Sequence, residues 1–257
     1  MNIYQHFRPE EKDFIDQVLN WKDFVETTYS PKLTDFLDPR EQHILKTIIG
    51  QNFEVKCEFF GGSSSTERKR ACIMPEYGMA TKNDFDICLF EIDYPSKFVT
   101  ILHPHVLGSL MSLGLRRGKF GDIIFCEKKI QFFVCQEVSE YIRTQIQSIG
   151  KATVELKPLK LEEAILTEES FRDEEITVSS LRLDTVVSGI YHLSRQKSQT
   201  FIQQGLVKVN WTLIENPSFE CGEGDLLSVR SYGRVKLMSI EGKTKKEKWR
   251  ISIGKQK

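Results

Sequence analysis

The sequence has no excess of charge of one sign and no long apolar segment. Its 36 Lys and Arg residues equal its 36 Asp and Glu residues, so the formal net charge over 257 residues is zero. This balance argues against a uniformly basic nucleic-acid binder. No segment approaches the roughly 18 apolar residues of a membrane-spanning helix, and the N-terminus lacks the apolar stretch of a signal peptide. We therefore expect a cytoplasmic protein without a membrane span.

Cysteine pairs and metal-ligand clusters are also lacking. Most of the six cysteines lie singly inside apolar runs, as Cys88 and Cys135 do, which favours buried free thiols over disulfides. His103 and His105 flank a proline, but zinc normally takes three or four ligands, and no suitably spaced Cys or carboxylate accompanies them. We predict that the protein holds no metal and no cofactor.

The sequence contains no recognisable catalytic signature either. Gly114, Gly118 and Gly121 do not have the spacing of a glycine-rich turn that admits a nucleotide between a strand and a helix. No Ser-His-Asp or Cys-His set has a recognisable local context, although such groups can converge in space. These absences favour a protein that is not an enzyme.

Hydrophobic residues recur at helical spacing over residues 9–50. Asp38 is a typical N-cap ahead of Pro39, and Gly50 is a typical helix stop. Two segments that alternate between apolar and polar residues follow, separated by a flexible turn. We predict a helical N-terminal region with a β-hairpin over residues 1–75.

Residues 76–157 contain two strand-helix-strand blocks. Strand character is evident at 85–92 and 98–102, and Phe132 and Phe133 lie in a later strand. Consecutive strand residues point to opposite faces, so at most one of these phenylalanines could stack on a base, and core packing is favoured for both. We predict a split βαβ domain with the ferredoxin-like fold of RNA-recognition motifs.

The remainder of the chain divides by charge. Residues 158–179 are acidic and contain a proline, which is typical of a linker. Residues 180–242 have the pattern of two short helices and a small curled sheet, and residues 243–257 carry 7 basic groups against 1 acidic group. We predict an acidic linker, a compact module and a basic C-terminal tail, within an α+β fold. The zero net charge is a cancellation, because residues 1–170 carry −5 and residues 171–257 carry +5.

Short motifs in the C-terminal module carry a resemblance. Arg-Leu-Asp at 182–184, Leu-Ser-Arg at 193–195, Ile-x-x-Gly-x-Val-x-Val-Asn at 202–210 and Gly-Asp-Leu-x-Ser-Val at 224–229 resemble the alpha-L RNA-binding domain of the ribosomal protein S-four type. In that family, two helices present basic side chains to the RNA backbone. A helix N-terminus attracts phosphate through its free N–H groups, and an arginine there adds a bidentate donor.

The resemblance implies which residues of this module contact RNA. On the helices and the sheet they are Arg182, Ser194, Arg195, Lys197, Lys208, Arg230, Arg234 and Lys236. Asp184 is instead predicted to orient a neighbouring arginine, because a bare carboxylate repels phosphate. Trp211 and Ser231 occupy turn positions where a turn-favouring residue such as glycine is expected.

Further motifs extend the resemblance over nearly the whole chain. Phe-Phe-Gly-Gly at 59–62, Glu-Arg-Lys-Arg at 67–70 and Leu-Gly-Leu-Arg-Arg-Gly at 113–118 look like the YlmH family of bacterial RNA-binding proteins. That family has a helical N-terminal portion, a middle domain similar to an RNA-recognition motif and a C-terminal alpha-L domain. Secondary RNA contacts are expected from basic loop and tail residues, namely Arg68, Lys69, Arg70, Arg116, Arg117, Lys119, Lys243, Lys245 and Lys246.

The resemblance also implies a function at the ribosome. Family genes lie near bacterial division genes, and the C-terminal domain resembles small factors that bind the large ribosomal subunit with peptidyl-tRNA during rescue of stalled ribosomes. The leading hypothesis is a non-catalytic protein that docks on structured rRNA or tRNA, at the large subunit, in ribosome-associated quality control. The second is a protein-interaction adaptor that binds a division-related protein. The third is an RNA-modifying enzyme, which would need a cofactor pocket or a catalytic acid in the middle domain.

Overall fold

The chain forms two compact units, Met1–Thr167 and Glu168–Lys257. The computed structural model describes residues 3–7, 11–50, 54–166 and 171–256. Over these ranges, no helix combines the length and the apolar character needed to cross a membrane.

The described residues of the first unit form four α-helices and nine strands. They are α1 (Lys12–Thr28), β1 (Lys32–Leu37), α2 (Pro39–Ile49), β2 (Val55–Phe60), β3 (Lys69–Pro75), β4 (Ile87–Asp93), α3 (His103–Met111), β5 (Phe120–Cys126), β6 (Lys129–Cys135), α4 (Gln136–Gln145), β7 (Ser148–Ile149), β8 (Ala152–Thr153) and β9 (Glu155–Leu159). The predicted cap of α2 is confirmed, because the Asp38 side chain accepts a hydrogen bond from the Glu41 N–H and the Glu41 carboxylate accepts one from the Asp38 N–H. The predicted stop is confirmed as well, since α2 ends directly before Gly50.

An antiparallel sheet in the order β1-β3-β2 lies next to α1 and α2. β1 falls inside the segment predicted to be helical. Its pairing explains the difference, because Leu33 lies opposite Cys72 and the Thr34 hydroxyl accepts a hydrogen bond from the Ala71 N–H at 2.9 Å. A strand whose partner lies almost forty residues later cannot be recognised from local periodicity.

A second antiparallel sheet has the order β5-β6-β4-β9 and carries α3 and α4 on one face. This is the strand order of the predicted split βαβ fold. The strand predicted at 98–102 is absent. Phe98 is 88% exposed there, and the segment joins β4 to α3 as a loop.

The two sheets of the first unit share a core. Along β3, Ala71 and Ile73 pack against α1 and α2, whereas Cys72 and Met74 face the second sheet. This alternation follows from the two-residue period of a strand. The unit therefore has four layers in the order helix, sheet, sheet, helix, and the boundary predicted at residue 75 lies between the two sheets of this unit.

The shared core covers the face that an RNA-recognition motif leaves open. On β6, Phe132 packs against the α3 and α4 layer, while Phe133 packs with Phe36 between the sheets. Both residues of this pair are at most 1% exposed, so the preference for core packing is confirmed. Base stacking on β6 is therefore excluded in this structure.

Over residues 171–256, the second unit forms two α-helices and six strands. They are β10 (Phe171–Val178), α5 (Leu183–Tyr191), α6 (Arg195–Gln203), β11 (Val207–Val209), β12 (Thr212–Leu213), β13 (Leu226–Val229), β14 (Gly233–Lys243) and β15 (Trp249–Gln256). The sheet is antiparallel in the order β10-β15-β14-β13-β11-β12, and both helices pack on its apolar face. The predicted α+β fold, with two helices and a sheet at the C-terminal end, is confirmed.

The second unit extends into both segments that were predicted to flank it. The expected linker ends in β10, and the expected basic tail contains β15, whose Ile251 and Ile253 are completely buried. β15 lies between β10 and β14, and Lys255 forms an ion pair with Glu174 across the β10–β15 edge. Some of the charges that suggested a linker and a tail, such as Asp173, Glu175 and Arg250, therefore belong to exposed positions of a sheet.

The six cysteines are free thiols, as predicted. Burial raises the pKa of Cys57 and Cys135 to about 11 and that of Cys221 to about 12. The thiolate is the reactive form, and these raised pKa values keep the three thiols protonated at neutral pH.

Candidate RNA interface

The two helices of the second unit differ in how their N-termini are used. At α5, the Leu183 N–H donates to the Phe219 carbonyl and the Asp184 N–H donates to the Pro217 carbonyl. These two N–H groups at the start of α5 are therefore already bonded within the protein. At α6, the Ser194 hydroxyl accepts a hydrogen bond from the Lys197 N–H at 3.2 Å, which confirms the predicted cap. Residues 194–197 are all exposed, so the first turn of α6 is accessible to an anion.

A buried carboxylate connects α5 to α6. Asp184 is completely buried and accepts hydrogen bonds from the Arg182 Nε at 3.1 Å, the Arg195 Nε at 3.1 Å and the Gln199 Nε2 at 2.8 Å. Burial alone would raise the pKa of Asp184, but the donors from Arg182, Gln199 and Arg195 lower that pKa well below its usual range. Asp184 is therefore ionised at neutral pH and holds two guanidinium groups in fixed positions.

The two arginines keep an outward surface. The side chain of Arg182 is 37% exposed and that of Arg195 is 57% exposed, although both contact the buried carboxylate. Arg195 contacts Asp184 through its Nε, and its guanidinium has two further nitrogens that can donate to an anion. Two cations around one anion leave a local charge of +1 beside the open turn of α6.

Three more basic residues share the outer face of the sheet. Lys208 lies opposite Ser228, which lies opposite Arg234, and Lys236 follows two positions later on β14. The residues between them, such as Val235, are buried against the helices. Strand alternation therefore brings Lys208, Arg234 and Lys236 to one surface.

Acidic residues of β10 border the basic surface of the sheet. Asp173 lies opposite Gly254, which lies opposite Lys236, so this carboxylate belongs to the same face. Glu175 is two positions further along β10 and is exposed. The outer face is therefore basic from β11 to β14 and acidic along β10.

An aromatic group on the other flank of α6 was missed from the sequence. The Tyr232 ring lies 5.5 Å from the Tyr191 ring and 5.8 Å from the Phe201 ring, measured between centroids. The Lys197 Nζ lies 5.6 Å from the centre of the Phe201 ring. The spacing of four residues between Lys197 and Phe201 was the available signal.

Gln199 was missed for a similar reason. It lies four residues after Arg195, and this spacing places both side chains over the same part of α5. The sequence prediction considered charged residues as partners of Asp184, and the neutral amide of Gln199 was therefore overlooked.

Comparisons with known proteins agree with this geometry. Family models match the chain at residues 10–77 ("YlmH, N-terminal"), 80–163 ("Putative RNA-binding domain in YlmH") and 181–227 ("S4 domain"). A Bacillus subtilis (strain 168) protein named "Ribosome-associated protein quality control protein P2" is 47% identical over 256 residues, covering 100% of this chain and 99% of the relative. The chain belongs to the YlmH family.

A solved structure adds to the comparison. "Cell division protein ylmH from Streptococcus pneumoniae" is 32% identical, with a TM-score of 0.55, and the match covers 64% of this chain and 100% of that chain. The S4 domain match stops at residue 227, so β10, β14 and β15 of this YlmH family member lie outside it.

Arg70, one of the predicted secondary RNA contacts, is buried in the N-terminal part of this YlmH family member. It is only 4% exposed, and its guanidinium donates to the backbone carbonyls of Thr34, Phe85 and Asp86 at 2.7 to 2.9 Å. Because this guanidinium is enclosed by protein acceptors, RNA contact by Arg70 is not favoured. Its positive charge instead joins β1, β3 and the segment before β4.

Two neighbouring arginines also bond backbone carbonyls within the first unit. Arg68 donates to the Phe36 carbonyl at 2.9 Å, and Arg117 donates to the Phe120 carbonyl at 2.5 Å. Burial, together with the positive charge of Arg68, lowers the pKa of Arg117 to about 10. Each of these guanidinium groups therefore has a structural partner, and RNA contact by Arg68 and Arg117 is not favoured.

Lys119 is held in an acidic cluster. Its ammonium bonds Asp35 at 2.6 Å and also Glu137. Asp35, Cys135 and Glu137 form the single group within the described residues whose possible metal-ligand atoms lie within 4.8 Å of one another. The ammonium of Lys119 supplies a positive charge to both carboxylates there.

The other predicted basic residues lie at accessible positions. Arg116 is exposed and Lys69 is half-buried on the first unit. Lys245 and Lys246 are exposed in the turn between β14 and β15, while Lys243 forms an ion pair with Glu247. RNA contact by these residues stays a prediction.

The two unusual turn residues adopt left-handed backbone without being glycine. Trp211 has φ of 64° and Ser231 has φ of 70°. Before Trp211, Asn210 also has positive φ, and its side chain bonds both the Asp225 carboxylate and the Leu226 N–H. These bonds offset the steric cost of the turn, which is typically about 1 kcal/mol per non-glycine residue.

The Asp184 cluster predicts a dependence of stability on pH. Because the folded-state pKa of Asp184 lies below the unfolded value of about 3.9, its contribution is present above that pH and is lost as pH falls. We expect Asp184→Asn to lower the free energy of unfolding at pH 7 by about 2 kcal/mol, by weakening hydrogen bonds to a charged group. Below pH 4 the difference from the original protein should shrink.

Urea unfolding followed by circular dichroism at pH 7, 4 and 3 measures this difference. Asp173→Asn, at an exposed position of β10, is the matched control. An Asp184→Asn protein that is as stable as the original at pH 7 would contradict the role of this carboxylate.

Proposed function

We propose that this protein docks on structured RNA of the ribosome through its second unit, at the large subunit and in contact with tRNA, in ribosome-associated quality control. The observation that carries the proposal is the cluster in which buried Asp184 fixes Arg182 and Arg195 beside the open first turn of α6. It lies within the residues matched by the S4 domain model. The name of the Bacillus subtilis relative supports the ribosomal setting.

The mode of binding follows from the available groups. Arg195, the exposed turn of α6, and Lys208 with Lys236 on the sheet offer donors and positive charge to phosphates. Such contacts recognise the shape and backbone of RNA rather than its sequence, and they release counterions. The protein contributes binding in this proposal and no catalytic group.

The first unit has a different place in this proposal. The face that would stack bases in an RNA-recognition motif is covered by the first sheet, and Arg70 is enclosed. RNA contact by this unit would therefore depend on exposed loop residues such as Arg116. We propose that it contributes less to RNA affinity than the second unit does.

Sedimentation with purified ribosomal subunits tests the proposal. The full chain should co-sediment with large subunits, more strongly when they carry tRNA, and should not co-sediment with small subunits. Arg182→Ala with Arg195→Ala should abolish this association. Arg143→Ala is the matched control, because Arg143 is 47% exposed on α4 and pairs with Glu140 in the other unit.

Crosslinking in living cells followed by RNA sequencing identifies the RNA site. Reads that concentrate in large-subunit rRNA and tRNA would support the proposal. Co-sedimentation with neither subunit, or association that is unchanged in the double variant, would contradict it.

The second candidate is a protein-interaction adaptor linked to cell division. The name of the Streptococcus pneumoniae structure supports it, and so do exposed apolar side chains of the first unit, where Met79 is 92% and Phe98 88% exposed. Residues 1–170 also carry a net charge of −5, which does not favour RNA. Partners that survive ribonuclease treatment in a pull-down and are lost with Phe98→Ser would favour this candidate.

A further inference from the structure

Tyr232 stands at the rim of the core in the turn between β13 and β14. Its ring meets Tyr191 at an interplanar angle of 66° and Phe201 at 55°. The Tyr191 hydroxyl donates to the Gly233 carbonyl at 3.1 Å, and the Tyr232 N–H donates to the Val229 carbonyl at 2.9 Å. The turn and the ring are therefore held in one orientation from both sides.

Tyr232 is nevertheless 40% exposed. The sheet and helices already bury a continuous core without its outer part, so packing alone does not require a large aromatic side chain at the surface. Two basic residues lie near this ring. Lys197 lies over the ring of Phe201, which contacts Tyr232, and Arg230 is exposed two residues before Tyr232. An ordered aromatic ring flanked by cations is the arrangement with which proteins bind an unstacked nucleobase and its phosphates.

The position of the ring relative to the Asp184 cluster fits one RNA ligand. Successive helix residues rotate by about 100°, so Arg195 and Gln199 lie on one flank of α6, and Lys197 and Phe201 lie on the other. Gln196, which is exposed, lies between the two flanks in the first turn. An RNA backbone that crosses this turn from Arg195 reaches Lys197 and the aromatic group next.

We propose that Tyr232 stacks on one unpaired nucleobase of the bound RNA, while Lys197 and Arg230 bind the phosphates beside that base. The inference rests on the proposed function and deepens it, because it adds a single-stranded feature to a surface that otherwise reads backbone and shape. Stacking tolerates any of the four bases, since each has an aromatic face. The preferred RNA is therefore a helix next to a bulge or loop.

The test compares two RNAs with the full chain. One is a stem with an unpaired loop, and the other is the same stem as a continuous duplex. Tyr232→Ala should weaken binding to the looped RNA about tenfold, a typical loss for one stacked base, and leave duplex binding unchanged. Tyr232→Phe should bind both RNAs as the original protein does.

Tyr232→Leu controls for loss of packing at this position. It keeps an apolar contact with Tyr191 and Phe201 but has no aromatic face, so it should show the same selective loss as Tyr232→Ala. A fluorescent adenine analogue in the loop should also be quenched by the original protein and by Tyr232→Phe, and not by Tyr232→Leu.

The outcomes separate this inference from the proposed function. Equal loss on both RNAs, no loss on either, or full binding by Tyr232→Leu would overturn base stacking. If Arg195→Ala still weakens both RNAs in that case, the proposed function stands without the stacking site. If the original protein binds neither RNA nor ribosomal subunits, the proposed function itself fails.

Discussion

Replacing Arg195 with alanine is expected to weaken RNA binding about tenfold for all sequences and to reduce the salt slope by about 1. The side chain stands beside the open first turn of α6, and its Nε is fixed by buried Asp184. Loss of the guanidinium removes both a phosphate contact and a constraint on the cluster. Arg182→Ala combined with Arg195→Ala should weaken binding further, and the two effects should not add, because both guanidinium groups bind the same carboxylate.

Fluorescence anisotropy with one structured RNA at several salt concentrations measures both quantities. Gln199→Ala is an informative partner variant, because it removes a neutral donor to Asp184 and no charge. We expect a smaller loss of affinity for it with an unchanged salt slope. Unchanged affinity and slope for Arg195→Ala would refute the assignment of Arg195.

Removal of residues 249–257 is expected to unfold the second unit and abolish its RNA binding. The deletion removes β15, which pairs with both β10 and β14, together with the completely buried Ile251 and Ile253. Truncating one such isoleucine typically costs about 2–5 kcal/mol, which approaches the whole stability of a small domain. Loss of an inner strand costs more, because β10 then has no partner.

Hydrogen exchange in the full chain measures the result unit by unit. Amides of α5 and α6 should lose their protection, while those of β3 and β6 in the first unit should keep it. A variant with Lys243, Lys245 and Lys246 changed to glutamine is the control, since it removes basic charge and keeps β15. If residues 249–257 act only as a charged tail, the truncated protein will keep its protected helices and lose only part of its salt slope.

Local sequence accounts well for several features of the site. The capping box at Asp38, the cap at Ser194 and the i,i+4 pair of Lys197 and Phe201 depend on neighbours within about one helical turn. The pairing of Asp184 with arginine could also be anticipated, because a carboxylate two residues from a guanidinium is a natural acceptor.

The basic loops of the first unit could not be interpreted in this way. Arg70 and Arg116 look alike in a sequence, since both belong to short clusters of charge. Only the fold encloses Arg70 between three carbonyls that come from two separate segments, and leaves Arg116 exposed. Burial depends on partners far along the chain, and no local pattern records it.

By itself, then, the sequence determined the α+β class, the helix starts, the resemblance to the YlmH family and the candidates around α6. Tertiary structure alone decided that β1, β10 and β15 are strands, that Phe133 is covered by the first sheet, and that Tyr232 joins Lys197 on one surface. The physical reason is the separation along the chain of the residues that interact. Helix caps and periodicity act over a few residues, whereas strand pairing, burial and the availability of a cation are settled by contacts between distant segments.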